Sequence, residues 1–295
     1  MRPVGHAGIP SGSRLFQRKD WYDPMALKVA VQLYSVRDDF AADQRGTLQK
    51  VKDMGYEGVE FAGLFGTAPA EIKKMCKEIG LVPLSAHVPY VEMVKDPIGV
   101  LSAYQEIGCP FVAIPYLTEE YRPGNAKFPE VVENAAKIGA AAKSLGMQLL
   151  YHNHDFEFAK IDGKYALEVL YDTVPADLLQ TELDVCWVRV GGEDPANYVR
   201  KYTGRAPIVH LKDYVGAKSA DMYELIGIEK KPTTETGAFE FRPVGSGVQN
   251  FPAILTAAED AGASWVVVEQ DKATMGLTPM QSIEKSRQYL KSIGY

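Results

Sequence analysis

The run Leu145-Gly146-Met147-Gln148-Leu149-Leu150-Tyr151-His152-Asn153-His154 decides how this chain folds. A helical pattern over residues 129–145 closes on a glycine and passes at once into a short apolar stretch that ends in polar residues. Glycine belongs at that point because the residue after a helix's last turn commonly adopts a left-handed conformation. The same helix, glycine, strand punctuation recurs at Gly55, Gly80, Gly108 and Gly262.

Outward from this unit the chain repeats it. Short β-rich runs are predicted at 29–34, 58–61, 82–87, 111–115, 147–152, 179–184, 208–211 and 265–269. Helices are predicted at 43–54, 69–79, 97–107, 129–145, 165–172, 195–202 and 279–292, several with proline near the first turn. Eight strands alternating with helices point to an α/β protein with a closed parallel (β/α)₈ barrel, the TIM barrel. An open doubly wound sheet would place a glycine-rich phosphate loop after its first strand. Here that strand runs into Gln32-Leu33-Tyr34-Ser35-Val36-Arg37, with no glycine.

The 295 residues suit one barrel domain at 27–295 behind an N-terminal extension at 1–26. The extension is rich in Gly, Pro, Arg and Ser and lacks the apolar segment of a secretory signal. It reads either as sequence preceding the domain or as an arm that packs on a neighbouring subunit. Residues 214–250 show no clear strand. They read as a lid, with Gly245-Ser246-Gly247 flexible enough to close on a ligand, or as a surface insertion.

With 46% hydrophobic and 24% charged residues, the composition is that of a globular enzyme. A net charge of −6 and the lack of a basic run argue against a nucleic-acid surface. No stretch of about 18 apolar residues offers a membrane span. Cys76, Cys109 and Cys186 are scattered and odd in number, as expected of reduced thiols in a cytoplasmic protein.

In a parallel barrel the C-terminal strand ends surround one pocket. Four of the five histidines fall at such ends: His87, His152, His154 and His210. Carboxylates join them: Glu60 on strand two, Glu182 and Asp184 on strand six, Glu269 and Asp271 on strand eight. Period two puts His152 with His154, Glu182 with Asp184, and Glu269 with Asp271 on common faces. Buried carboxylates beside imidazoles are costly without a compensating positive charge. A divalent cation supplies it, and mixed nitrogen and oxygen ligation suits Mn²⁺, Zn²⁺, Co²⁺ or Fe²⁺.

As a set, several segments resemble the sugar phosphate isomerase/epimerase family of xylose-isomerase-like TIM barrels, in the AP endonuclease 2-like superfamily. They are Val31 to Arg37, Ser85-Ala86-His87, Tyr151 to Phe158, Glu182 to Trp187, His210 to Asp213, and Val268 to Asp271. The resemblance runs from Val29 to about Leu290. It implies one divalent metal, most often Mn²⁺ with Mg²⁺ also in range, and a sugar or cyclitol substrate. The family's ligands are Glu, Asp, His and Glu on strands five to eight; the last three correspond to Asp184, His210 and Glu269. On strand five this chain has His152 where the family has glutamate, so His152 is expected as the fourth ligand.

That departure bears on the family's chemistry, in which two glutamates move a proton beside a ketone on opposite faces of the substrate. Glu269 remains as one acid/base; its partner must come from His152, His154, Glu157 or Glu182. His87, Glu60, Lys212, Trp187 and Tyr34 are expected to contact substrate, with Lys212 alternatively pairing Asp213 and Glu60 alternatively bracing strand one. The activity expected is an epimerase or isomerase of a keto-sugar or 3-oxo-glycoside. A lyase on the same site, an inosose-type dehydratase or a 3-oxo-glycoside eliminase, starts with the same proton. An endonuclease would need more metal ligands and a basic groove. A non-catalytic sugar-binding subunit would bind without turnover. Family barrels are often dimers or tetramers.

Overall fold

The computed structural model describes residues 27–219, 222–223 and 238–295. The extension at 1–26, the arm reading attached to it, and residues 220–221 and 224–237 of the 214–250 segment lie outside them. Eight parallel strands form the barrel: β1 (Lys28–Gln32), β2 (Gly58–Phe61), β3 (Val82–Ala86), β4 (Phe111–Ile114), β5 (Gln148–His152), β6 (Leu179–Asp184), β7 (Ile208–Leu211) and β8 (Trp265–Val268). Eight helices follow them in turn: α1 (Gln44–Met54), α2 (Pro69–Ile79), α3 (Pro97–Ile107), α4 (Phe128–Ser144), α5 (Ala166–Thr173), α6 (Pro195–Lys201), α7 (Phe251–Ala261) and α8 (Pro279–Ser292).

β1 pairs with both β2 and β8, so the first and last units meet. The remaining seam, between β3 and β4, is closed by a single bridge at which His87 faces Ala113 and Val88 N–H donates to the Ala113 carbonyl at 3.0 Å. The five punctuating glycines all have positive φ, from 76° at Gly146 to 104° at Gly108. Each redirects the chain from helix into strand in a conformation that a Cβ would disfavour.

The barrel interior is layered. Ala30, Leu84, Leu150, Ile208 and Val267 pack as an apolar cluster inside the strands. Two residues onward, on the same face, stand Gln32, His152, His210 and Glu269. The apolar layer therefore plugs the barrel, and the next layer up carries the chemistry. Residues of the other face, such as Leu149, Tyr151 and Val209, join the larger core beneath the helices.

Two sequence expectations change. The 214–250 segment is not strandless, because Asp213–Val215 pairs antiparallel with Glu240–Arg242. Three residues are too few to register as a period. Nor are its glycines a hinge among the described residues: Gly245 and Gly247 N–H both donate to Asp213 Oδ2, at 3.1 and 2.7 Å. The helix α7, marked in the sequence only by its terminal Gly262, is hidden by alanines that blur its apolar stripe. Short helices at Arg37–Ala42, Tyr90–Lys95 and Val185–Val190 escape the sequence pattern, each under two turns long. No helix among the described residues is long and apolar enough to cross a membrane.

Candidate metal centre

Glu60, Glu182, Asp184, His210 and Lys212 are buried to within 1% of complete exclusion, and His87, His152, Glu269 and Asp271 are buried beside them. All sit at or just past the C-terminal ends of their strands. Asp184 is fixed by the next turn of chain. Its Oδ1 accepts from the backbone N–H of Cys186 at 2.8 Å and Trp187 at 3.1 Å, capping the short helix Val185–Val190. Only Oδ2 is left to face the barrel axis.

Two overlapping groups have the geometry to hold a metal ion. One is His152, Asp184, His210 and Glu269; the other is His87, His152, Glu182 and His210. In each, one ligand atom per residue lies within 4.8 Å of all the others. The first brings together the four residues expected from the sequence to ligate the ion. The donor chemistry fits: two imidazoles and two carboxylates suit a borderline divalent cation. So do the unsatisfied atoms. Asp184 Oδ2, His152 Nδ1 and His210 Nε2 are buried without a hydrogen-bond partner. A buried polar atom left this way is costly unless a ligand completes it.

The electrostatics come from buried carboxylates gathered around one ammonium. Lys212 Nζ lies 2.9 Å from Asp271 Oδ1, 3.0 Å from Glu269 Oε2 and 3.2 Å from Asp184 Oδ2. Burial works against its charge, but these three carboxylates raise its pKa well above normal. Lys212 thus pairs with the cluster and not with Asp213, whose carboxylate is occupied by backbone N–H groups of residues 214, 245, 247 and 249. Burial raises Asp271 to about 6 although Lys212 opposes it. Glu269 goes the other way: burial would raise it, but Lys212 and His210 hold it well below the carboxylate range. Burial and the neighbouring cations keep His152 and His154 neutral. Burial would lower His87 too, yet Glu60 and Glu182 push it up to about 10.

A cavity of about 520 Å³ opens above the cluster. Tyr34, His87, His152, Lys212 and Glu269 line its floor, as the sequence reading expected of groups that meet substrate, and His154 lines its wall. Four of the expected substrate or proton-transfer residues do not line it. Glu60 lies behind the histidines, and Gln32 Nε2 donates to it at 2.7 Å, which is the strand-one brace. Glu182 lies behind them too, against His87 Nε2 at 2.7 Å. Trp187 is fully buried and stacks on His154 at 5.2 Å. Glu157 turns away to accept from Tyr151 Oη at 2.6 Å and the His154 N–H at 2.8 Å.

Sequence reasoning missed part of the cavity. Asp271 lines it, and its shared face with Glu269 was the available signal. Tyr116 and Pro115, from the end of β4, and Tyr90, from the short helix after β3, form much of the apolar wall. The β4 end carries no histidine or carboxylate, so a search for those groups at strand ends passes over it.

Known proteins share this architecture. A family model described as xylose isomerase-like TIM barrel matches residues 48–293. The inosose dehydratase of Clostridium perfringens (strain 13 / Type A) is 27% identical over 180 residues, covering 60% of this chain and 58% of that protein. The chain therefore spans less than two thirds of that curated relative's length. A sugar phosphate isomerase/epimerase from Parabacteroides distasonis ATCC 8503 superposes with a TM-score of 0.73 at 23% identity, covering 97% of this chain and 99% of that one. The IOLI protein, solved with a zinc atom, superposes with a TM-score of 0.65 at 14% identity, covering 90% and 98%. At those identities the structural likeness speaks for the fold.

Proposed function

We propose, for a chain that belongs to the xylose isomerase-like TIM barrel family, a metal-dependent enzyme that removes a proton beside the carbonyl of a keto-sugar or 3-oxo-glycoside, as an epimerase or isomerase. One observation carries the reading. Asp184, His210, Glu269 and His152 converge from four neighbouring strands beneath a cavity wide enough for a sugar, whose floor His152 and Glu269 line, and Asp184 Oδ2 is left unsatisfied there. A divalent ion held there would act as a Lewis acid on the carbonyl and on the negative charge that proton removal creates.

The chain's own residues supply the rest. Glu269 is held ionised by Lys212 and His210, so it is the base available at neutral pH. The Lys212 ammonium, against Glu269 and Asp271, faces the same space and steadies developing negative charge. His154, neutral and on the cavity wall, is the group on another side that exchanges a proton with the substrate. Tyr34 and His87 are placed to meet hydroxyl groups. The zinc atom of one structural relative supports a metal of this type, with Mn²⁺, Zn²⁺, Co²⁺, Fe²⁺ and Mg²⁺ all to be tried.

A second reading, a lyase, is favoured by cavity size. Even at a full water share of about 30 Å³ per non-hydrogen atom, a hexose of about a dozen such atoms fills about 360 Å³. The cavity exceeds that and continues into an apolar wall of Tyr90, Tyr116 and Pro115. A glycoside with an apolar aglycone would use this space, and loss of the aglycone by elimination begins with the same proton. The dehydratase named among the relatives performs a reaction of that class. Incubating the metal-loaded protein with 3-oxo-glucose and 3-oxo-glucosides in D₂O decides between them. Deuterium at the carbon beside the ketone, with the skeleton kept, supports the epimerase; an unsaturated sugar and free aglycone support the lyase. No exchange on any 3-oxo sugar or ketohexose would sink both.

A further inference from the structure

We infer that Tyr223, pinned by Asp155, is a partition between two neighbouring cavities, and that this pair sets how long an aglycone the apolar end of the site admits. The inference rests on the glycoside reading above and deepens it. The Asp155 side chain is only 1% exposed. A carboxylate so deeply buried is costly unless partners satisfy it. Its most local use is not made. Asp155 stands at the start of the short turn Phe156–Phe158, where an aspartate commonly caps, yet its side chain makes no capping bond. Both oxygens go instead to the segment after β7: Tyr223 Oη donates to Oδ1, and Lys218 Nζ lies 2.6 Å from Oδ2.

The ring held in this way meets four others, with centroids 5.5 Å away for Trp187, 5.7 Å for His154, 5.8 Å for Phe156 and 6.1 Å for Tyr116. Together with Tyr116 and His154 it lines the main cavity. Against these rings lies a second cavity of about 400 Å³, lined by Arg122, Asp155, Phe156 and Lys218 among others. The Arg122 guanidinium is 5.1 Å from the Tyr116 ring, 5.2 Å from the Tyr223 ring and 4.3 Å from the Phe156 ring, and it donates to Tyr116 Oη. One layer of side chains therefore separates the two spaces. Tyr223 is the member of that layer brought in from a segment 68 residues beyond Asp155 and fastened by its hydroxyl.

Volume turns this partition into specificity. At about 30 Å³ per non-hydrogen atom, phenyl β-glucoside, with about 18 such atoms, takes about 540 Å³, and 4-methylumbelliferyl β-glucoside, with about 24, takes about 720 Å³. The main cavity, at about 520 Å³, matches the first and not the second. The larger ligand needs space that lies beyond Tyr223.

The test uses the full chain loaded with Zn²⁺ and reads binding of both glucosides by calorimetry. Neither carries a ketone, so affinity is measured without turnover. Wild type should bind the phenyl compound more tightly. Tyr223→Ala and Asp155→Ala should move the ratio of the two affinities toward the larger compound by about tenfold or more. Asp155→Asn should leave the ratio near wild type, because the amide oxygen still accepts from the tyrosine hydroxyl. An unchanged ratio in Tyr223→Ala, including a parallel loss of both affinities, would overturn the inference, since a loosened fold weakens both alike. A ratio that shifts in Tyr223→Ala but not in Asp155→Ala would overturn the pin. The emission of Trp187, isolated by comparison with Trp187→Phe, tests the pin with no ligand present: it should shift in Asp155→Ala and hold in Asp155→Asn. If neither glucoside binds wild type, the glycoside reading fails; an emission shift then keeps the pin, and its absence overturns that as well.

Discussion

The Lys212 ammonium lies 3.0 Å from Glu269 Oε2, and both groups are almost wholly removed from solvent. This ion pair is where folding and chemistry meet. Removing one partner of a buried pair strands the other at about 3–5 kcal/mol. Lys212→Met should therefore destabilise the metal-free protein by about that much, since Asp184 and Asp271 lose their partner with Glu269. Saturating metal should restore part of the loss by returning positive charge to the cluster. Urea unfolding with and without Zn²⁺ checks both. An unchanged midpoint in the metal-free variant would show that the carboxylates do not depend on the lysine.

Asp184→Ala, His210→Ala and Glu269→Ala should each abolish metal binding or reduce turnover to background, and chelation should do the same to wild type. Loaded at a hundred times its dissociation constant, a native-state ligand stabilises by about 2.7 kcal/mol. Thermal unfolding should therefore rise with added metal in wild type and stay flat in the three variants. Metal content and turnover at wild-type level in all three would remove the assignment.

The fold was legible because βα units carry local punctuation. Gly80 and Pro69 mark one helix from both ends, and the structure gives Pro69–Ile79 without change. The candidate cluster was legible as histidines and carboxylates at strand ends, with period two pairing Glu182 with Asp184 and Glu269 with Asp271, while the choice of ligands among them came from the resemblance. What sequence left hidden depends on depth and direction. Glu60 and Glu182 end strands just as Glu269 does, but the histidines stand between them and the cavity. Trp187 carries a ring suited to sugar stacking, yet the turn capped by Asp184 buries it under His154. Strand position is written in the sequence; which of two stacked polar layers meets the ligand is not.

Glu157 offers a pH signature away from the cavity. Burial raises its pKa from 4.5 to about 7, despite the bonds from Tyr151 and the His154 N–H. The folded chain therefore holds a proton here that the unfolded chain has released. The stability this gives is complete below about pH 4.5 and is lost as pH rises through 7, by about 3 kcal/mol over the window. Glu157→Gln can still accept from the His154 N–H while the tyrosine hydroxyl rotates to accept from the amide. The difference in unfolding free energy between wild type and Glu157→Gln, tracked from pH 5 to 8, should move in the variant's favour as pH rises. A difference that does not change with pH would contradict this.

The apolar wall should be readable in specificity. Tyr116→Ala opens the aromatic side of the cavity without touching the ion's ligands. It should lower kcat/KM for an aryl 3-oxo-glucoside about tenfold or more and change the value for free 3-oxo-glucose little. Equal losses on both substrates would mean that Tyr116 only supports His154, whose ring it meets edge-on at 5.0 Å.

His152→Glu is the most informative change in proton chemistry. It puts a carboxylate on β5 next to Glu182, whose oxygen lies 3.3 Å from the ring in the native chain. Two carboxylates at that separation repel, so the new one gains a proton more readily and becomes a proton donor as well as a ligand. Metal binding should survive, because the donor count is unchanged, while the partner lost from Glu182 costs affinity. If wild type is limited by having one strong acid/base at Glu269, the variant should return protons to the opposite face of the sugar. Deuterium at the epimerised carbon would then rise relative to eliminated product. Measured by NMR in D₂O, a ratio and a rate both equal to wild type, with metal bound, would mean that His152 neither ligates the ion nor limits the proton's path.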